Sequence, residues 1–280
     1  MPTRVVKTVT VGWLLCEDIS SVVFFPPERL TWPEIPRGAS AGDIARCPGI
    51  RDLTSQLWVV RSPFTFRIRA HHFDPGKGLT YRCEPCEKGL SERVLAHLLP
   101  VMPVSTWETP ERPLLQLRLP YVFLSDHSVY IEQLPAFMSE VHARFPGTVY
   151  GGRFPIDLWP RRINFAFHWV DLTREIFIQR GDPLFYVRFQ PRLRDQKVRV
   201  VEAERTSEVR QFMDAVKDVT AYTDKTFTLF ARAAEMRPPR LVKERRTYVA
   251  RAAKEAEAAL QAASASDGGS GPTPPDEGES

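Results

Sequence analysis

Cysteine is scarce in this chain, with 4 in 280 residues, and only Cys83 and Cys86 lie close together. A disulfide-stapled scaffold is thereby excluded, and a reducing, intracellular setting is expected. No window approaches the roughly 18 consecutive apolar residues of a membrane helix. The N-terminal run MPTRVVKTVTVGWLLCED ends in acids and has no small-residue cleavage site, so neither a span nor a secretory signal is expected. Phosphate-loop, dinucleotide-binding, nucleophile-elbow and zinc-protease signatures are all missing. Charge of one sign is also in short supply: 38 basic against 34 acidic residues leave +4. No helix-turn-helix, finger or RNA-binding signature is present either, so sequence-specific nucleic-acid recognition is not expected.

What is plentiful is proline (25) and aromatic side chains (17 Phe, 7 Tyr, 6 Trp). Up to about residue 190, β-branched and aromatic residues are punctuated by proline, the rhythm of short strands and turns. Strands are expected at Val5–Leu15, Leu57–Val60, Phe64–Arg69, Leu114–Leu119, Ser128–Gln133, Ile163–Val170, Arg174–Ile178 and Leu184–Phe189. In Phe64–Arg69 the apolar residues Phe64, Phe66 and Ile68 alternate with Thr65, Arg67 and Arg69, the period of a sheet with one wet face. The proline-rich stretch Pro26–Pro36 reads as an extended surface loop, because each proline removes a donor and fixes φ.

The character changes after residue 194. Val209, Phe212, Met213, Val216 and Val219, then Tyr222, Phe227 and Phe230, fall at helical spacing behind a Thr206 or Ser207 cap. An amphipathic helix over 206–236, broken near Thr220–Asp224, is expected to dock on the β part, and Pro238-Pro239 to end it. Residues 240–263, rich in Ala, Glu, Lys and Arg, suggest a charged and largely exposed helix. Residues 264–280 carry four acids and no base, with no large apolar residue, and read as a disordered tail. The expected organisation is a mainly β domain over 1–195, built as a β-clip or sandwich-like barrel, followed by helices and tail.

Several clusters could carry chemistry. Trp159-Pro160-Arg161-Arg162 sets an aromatic beside paired arginines on a loop, a pattern that suits phosphate or a carboxylate-rich partner. Its ligand-binding candidates are Arg153, Trp159, Arg161 and Arg162. Trp32, Trp107 and Trp159, beside proline or in polar loops, are the candidate surface anchors, while other aromatics fill the core. Cys83-Glu84-Pro85-Cys86 has the spacing of half a zinc site, which His72 could complete. His72-Phe73-Asp74 also has the spacing of two iron ligands, with His168 as a third. No cofactor is required by any of these patterns, although Zn or Mg could be accommodated. Arg237–Lys254 holds seven basic residues and one acid, and on a helix Arg240, Lys243, Arg245 and Arg246 would form a stripe able to meet phosphate or nucleic acid.

Two resemblances extend this reading. The segment from Phe145 to Pro191, with Ile178 leading into Gly181-Asp182-Pro183, resembles the distal part of deoxyuridine triphosphatase-like chains, which carry a β-clip hairpin; the likeness covers about 45 residues. It implies a deoxynucleotide at a subunit interface, with Asp157 as the base that activates water and Mg as the metal. That family's Gly-Arg-Ser loop has no counterpart at Ser125–Gln133, and the tail lacks an Arg or aromatic to hold phosphate.

The second runs from about Ile44 to Pro191, on Cys47-Pro48, Asn164-Phe165-Ala166-Phe167 and Gly181-Asp182-Pro183. It is similar to uncharacterised proteins of large tailed phages and proteobacteria, with Ser125-Asp126-His127-Ser128 where the pattern has a Pro-Pro-Gly turn. It implies a phage-type, homo-oligomeric structural or interaction protein, in the virion or the host cytoplasm, acting on protein partners without catalysis. The nucleotide-binding enzyme and the Cys/His metal protein are the alternatives.

Overall fold

The computed structural model describes residues 8–17, 22–31, 44–85, 91–193, 196–217 and 226–245. Fourteen strands among these residues form four sheets, and the chain is mainly β. The first sheet places β1 (Thr8–Leu15) between β14 (Lys197–Glu202) and β7 (Tyr121–Ser125). β1 runs parallel to β14 and antiparallel to β7. The β domain therefore does not stop near 195: β14 lies beyond that boundary and pairs with the first described strand. One compact unit extends through Lys243, and a second begins at Glu244.

The central sheet has five strands, in the order β10 (Gly152–Pro155), β8 (Val129–Pro135), β13 (Pro183–Pro191), β3 (Leu57–Arg61) and β2 (Glu28–Arg29). β2 falls within the stretch read as a proline loop; it is two residues long, at the sheet edge, where neighbouring prolines are tolerated. A third sheet joins β6 (Leu114–Leu117), β11 (Phe165–Trp169) and β9 (Gly147–Val149). The fourth joins β12 (Ile176–Ile178), β4 (Phe66–Asp74) and β5 (Gly78–Pro85).

The alternation in β4 has the expected result. Phe66 and Ile68 are fully buried, while Arg67 and Arg69 point outward and pair with Glu175 at 2.6 and 2.7 Å. The two arginines hold the Glu175 carboxyl below its usual value, the Arg69 hydrogen bond first. The strand is longer than its apolar run suggests, and a bulge between Ala70 and His72 carries it on to Asp74.

The Arg180–Pro183 turn works as its residues require. Gly181 sits at φ +88°, which a side chain would strain, and Asp182 accepts the Gln179 amide at 2.7 Å. The turn does not close a two-stranded hairpin, however. β12 pairs with β4, whereas β13 pairs with β3 and β8, so the turn hands the chain from one sheet to another.

One large core lies among the sheets, dominated by Trp169, Tyr121, Phe66, Phe123, Phe167 and Phe185. Trp107 belongs to it, contrary to the surface role expected: it is buried, its indole N–H donates to the Met102 carbonyl at 2.9 Å, and Phe73 stacks on it. Trp32 lies outside the described residues.

A second core joins β1 and β7 to the C-terminal elements of the same unit. α4 (Ser207–Ala215) is capped by the Thr206 hydroxyl, which accepts the Val209 amide at 3.3 Å, and it buries Val209 and Phe212. α5 (Thr226–Met236) adds Ala233. The chain then runs without regular secondary structure through residues 240–243, and no helix is present at Arg240–Arg245. Two burials outweigh the helix propensity there: Leu241 and Val242 enter the second core, and their amides both donate to Asp126 Oδ1. The rest of the predicted charged helix, the acidic tail and the break at Thr220–Asp224 lie outside the described residues. Among the described residues, no helix is long and apolar enough to cross a membrane.

Candidate functional site

The Trp159–Arg162 turn follows β10 and leads into β11, and its position is fixed from both sides. The Trp159 amide donates to the Pro155 carbonyl at 2.9 Å, and the Ile163 amide to Tyr121 at 3.0 Å. The Trp159 ring lies between Phe154 (5.5 Å) and Phe230 (6.1 Å), with the Arg161 guanidinium over it at 4.4 Å. The indole N–H is buried without a hydrogen-bond partner.

The four ligand-binding candidates divide by what surrounds their charge. Arg162 grips Glu17 through two N–H···O bonds of 2.9 and 2.8 Å. Arg153 on β10 reaches Glu132 on β8 at 3.4 Å and lies over Tyr130 at 3.9 Å. The same Glu132 accepts Arg188 Nε at 2.9 Å from β13, so one carboxylate bridges arginines from both neighbouring strands. Arg161 has its ring contact with Trp159 and, among the described residues, no carboxylate. Burial pulls its guanidinium below the usual value, and no opposing charge offsets that shift.

Arg161 and Arg162 line a small cavity of about 150 Å³ together with Gln116, Gln133, Tyr150 and Asn164. Gln133 donates to the Asn164 carbonyl at 2.8 Å, and the Tyr150 hydroxyl approaches Glu108 at 3.5 Å. Asn164 Oδ1 is buried and accepts no hydrogen bond. Sequence reasoning missed Gln116, Gln133 and Asn164, whose polar ends converge only when β6, β8 and β11 are assembled.

Asp157 is 8% exposed and does not line that cavity. Burial pushes its carboxyl above the usual value, against the opposing pull of the nearby amides and of Arg237. The cation that faces it is therefore Arg237, rather than Arg153, Arg161 or Arg162. Arg237 itself donates to the Asp157 carbonyl at 2.9 Å and to the Ser125 carbonyl at 3.0 Å. The structure thus does not gather Asp157 with Arg153, Arg161 and Arg162 into one site.

The metal candidates are also separated. Cys83 is buried opposite Ile68, whereas His72 is exposed and sits opposite Thr80. Those positions are four residue steps apart along β4, about 13 Å of strand. Asp74 pairs with Lys77 at 2.8 Å, and His168 is buried on β11 with Nδ1 2.6 Å from the Arg112 carbonyl. Among the described residues no three His, Cys, Asp or Glu side chains cluster as metal ligands; Cys86 lies outside them.

The basic stretch is likewise spent on the fold where it is described. Arg240 Nε donates to the Val242 carbonyl at 3.0 Å, and Lys243 pairs with Glu204 at 2.6 Å. Arg246 is outside the described residues, and Arg245 lies in the second unit.

A larger groove, about 490 Å³, borders β12. Its apolar lining includes Val141, Phe145, Pro146 and Phe177, and Arg144 and Arg174 supply its cations. Ser139 caps α3 (Glu140–Arg144) by accepting the His142 amide at 3.2 Å, which sets Val141 and Arg144 at the rim. Phe177 is 39% exposed, and the Arg67 guanidinium sits over its ring at 4.6 Å.

No protein-family model matches the sequence, and no curated protein matches it.

Proposed function

We propose that this chain is a non-catalytic interaction protein of the phage-structural kind, and that it engages an extended, acidic segment of a protein partner along β12. The observation that carries this reading is the groove itself. It flanks a strand at the edge of its sheet, and an edge strand presents backbone groups to which a further strand can add. Phe177, Phe145 and Val141 offer apolar pockets for alternate side chains of such a segment.

Charge complementarity selects the occupant. Among the described residues, the one acid that meets Arg144 is Glu140, at 3.8 Å on an open helix face, and Arg174 spends one guanidinium nitrogen on the Arg144 carbonyl. The groove's two acids are already engaged: Asp182 caps its turn, and Glu175 is shared by Arg67 and Arg69. On this reading the fold is the β-clip implied by the resemblance, and the setting is a virion or the host cytoplasm.

The test titrates the full chain with extended peptides of matched hydrophobicity, one acidic and one basic. Binding of the acidic peptide, weakened by Phe177→Asp and by Arg174→Glu, is the expected result. Equal binding of both peptides, or variants that bind as the parent does, would overturn the proposal. Light scattering on the same samples identifies a second copy as the occupant if mass rises with concentration and Phe177→Asp abolishes the rise.

A further inference from the structure

The geometry points to a second, separate binding site: the cavity beneath Arg161 takes a small oxyanion that carries an O–H, of the phosphate class. Three observations converge on it, and none depends on the groove at β12.

The first is Arg161. A guanidinium carries its charge at every ordinary pH, and burying that charge without an acid is unfavourable, so half-buried arginines normally acquire a carboxylate. The neighbouring arginines follow that rule: Arg162 holds Glu17, and Arg153 and Arg188 share Glu132. Arg161 is held instead on the Trp159 face, which fixes the planar fork while leaving its N–H groups for an acceptor. Stacking of this kind presents two parallel donors, the arrangement that suits an oxyanion.

The second is Asn164. Its Oδ1 is buried among polar neighbours and accepts nothing. Buried acceptors are nearly always paired, and this orphan belongs to a residue of the cavity wall, where the O–H of an entering group is the donor available to it. Sulfate, fully ionised at neutral pH, offers acceptors only. Phosphate retains at least one O–H near neutrality, so it can receive from Arg161 and donate to Asn164 together.

The third is size and lining. About 150 Å³ is room for a compact tetrahedral anion, and the wall adds the polar residues Gln116 and Gln133. Binding involves no covalent step.

The experiment titrates the full chain with inorganic phosphate and, separately, with sodium sulfate, reading heat by calorimetry and phosphorus line width by NMR. Phosphate binding, at least tenfold weaker sulfate binding, and loss of phosphate binding by tenfold or more in Arg161→Gln are expected, on the order of one charge-assisted hydrogen bond. Asn164→Leu removes the acceptor to which the phosphate O–H would donate, and it should weaken phosphate binding as well. Circular dichroism identifies variants that remain folded, and Lys77→Gln, a remote exposed cation, serves as the control for non-specific attraction. No phosphate binding by the parent, equal binding of sulfate, or equal loss in Lys77→Gln would overturn the site. Phosphate binding with the groove variant Phe177→Asp unchanged would keep this inference apart from the partner proposal.

Discussion

A side-chain carbon added to Gly12 would lie 2.9 Å from the Ala203 Cβ, closer than two such carbons approach in folded proteins. The two residues meet because β1 and β14 run parallel and the Ala203 amide donates to the Trp13 carbonyl at 2.8 Å. Val242 and Leu124 close the remaining space at 3.2 and 3.3 Å. The neighbour at Ala203 has no flexible end that could move aside. Gly12→Ala should therefore destabilise the chain through overpacking by about 1–3 kcal/mol. For a unit of this size each kcal/mol lowers the melting temperature by about 2–4 °C, so thermal unfolding checks it. Ala203→Gly in the same background should recover part of the loss.

Asp126 fastens the C-terminal segment to the sheet. Its Oδ1 accepts both the Leu241 and Val242 amides, and Arg237 stands 3.8 Å away. Asp126→Ala leaves two buried donors without an acceptor and should cost about 1.5–3 kcal/mol. Asp126→Asn, which keeps an acceptor but not the charge, should lose less. Amide hydrogen exchange at Leu241 and Val242 distinguishes local release from global unfolding: both amides should exchange faster in Asp126→Ala while those of β8 and β13 stay protected.

Glu132 holds the centre of the five-stranded sheet electrostatically. Its carboxylate is 15% exposed and faces Arg188 and Arg153 in direct cross-strand register. Glu132→Gln keeps the shape but leaves like charges on the two strands that flank β8, with no acid between them. A loss of about 1.5–3 kcal/mol in denaturant unfolding is expected. Arg153→Gln in that variant should restore part of it, since it removes one of the two repelling charges, and added salt should narrow the difference.

The parts of this architecture that were legible from sequence are those set by local period and turn chemistry. Phe66 and Ile68 declare their strand by alternation, and Gly181 and Asp182 declare their turn. β7, Tyr121–Ser125, is buried at every position, so it has no alternation to read. β14 depends on a parallel partner at the far end of the chain, a pairing no local window contains. Arg240–Lys243 has helical composition, yet burial of Leu241 and Val242 and the demand of Asp126 hold it out of a helix. The candidate site shows the same division. Trp159-Pro160-Arg161-Arg162 stands out as a sequence pattern, but which arginine stays without an acid depends on Glu17 and Glu132, which arrive from other strands.

Asp157 gives the chain a signature in its pH dependence. Burial raises its carboxyl above the ordinary value, so the native state binds this proton more tightly than the unfolded chain, where an aspartate titrates near about 3.9. The sign follows from linkage: the contribution is fully present below the unfolded value and is lost as pH rises through the native one. Once ionised, the buried Asp157 thus weighs against folding, and its unpartnered Oδ1 adds to the burden. Asp157→Asn removes the ionisation while keeping the shape. The variant's stability relative to the parent should rise from about pH 3 upward and level off above the native value, within the range where carboxyls titrate. Urea unfolding of both proteins across that range measures the difference directly. A variant that becomes progressively less stable than the parent as pH rises would show that Arg237 and the Val129 amide outweigh burial, and that the carboxylate is held in its charged form.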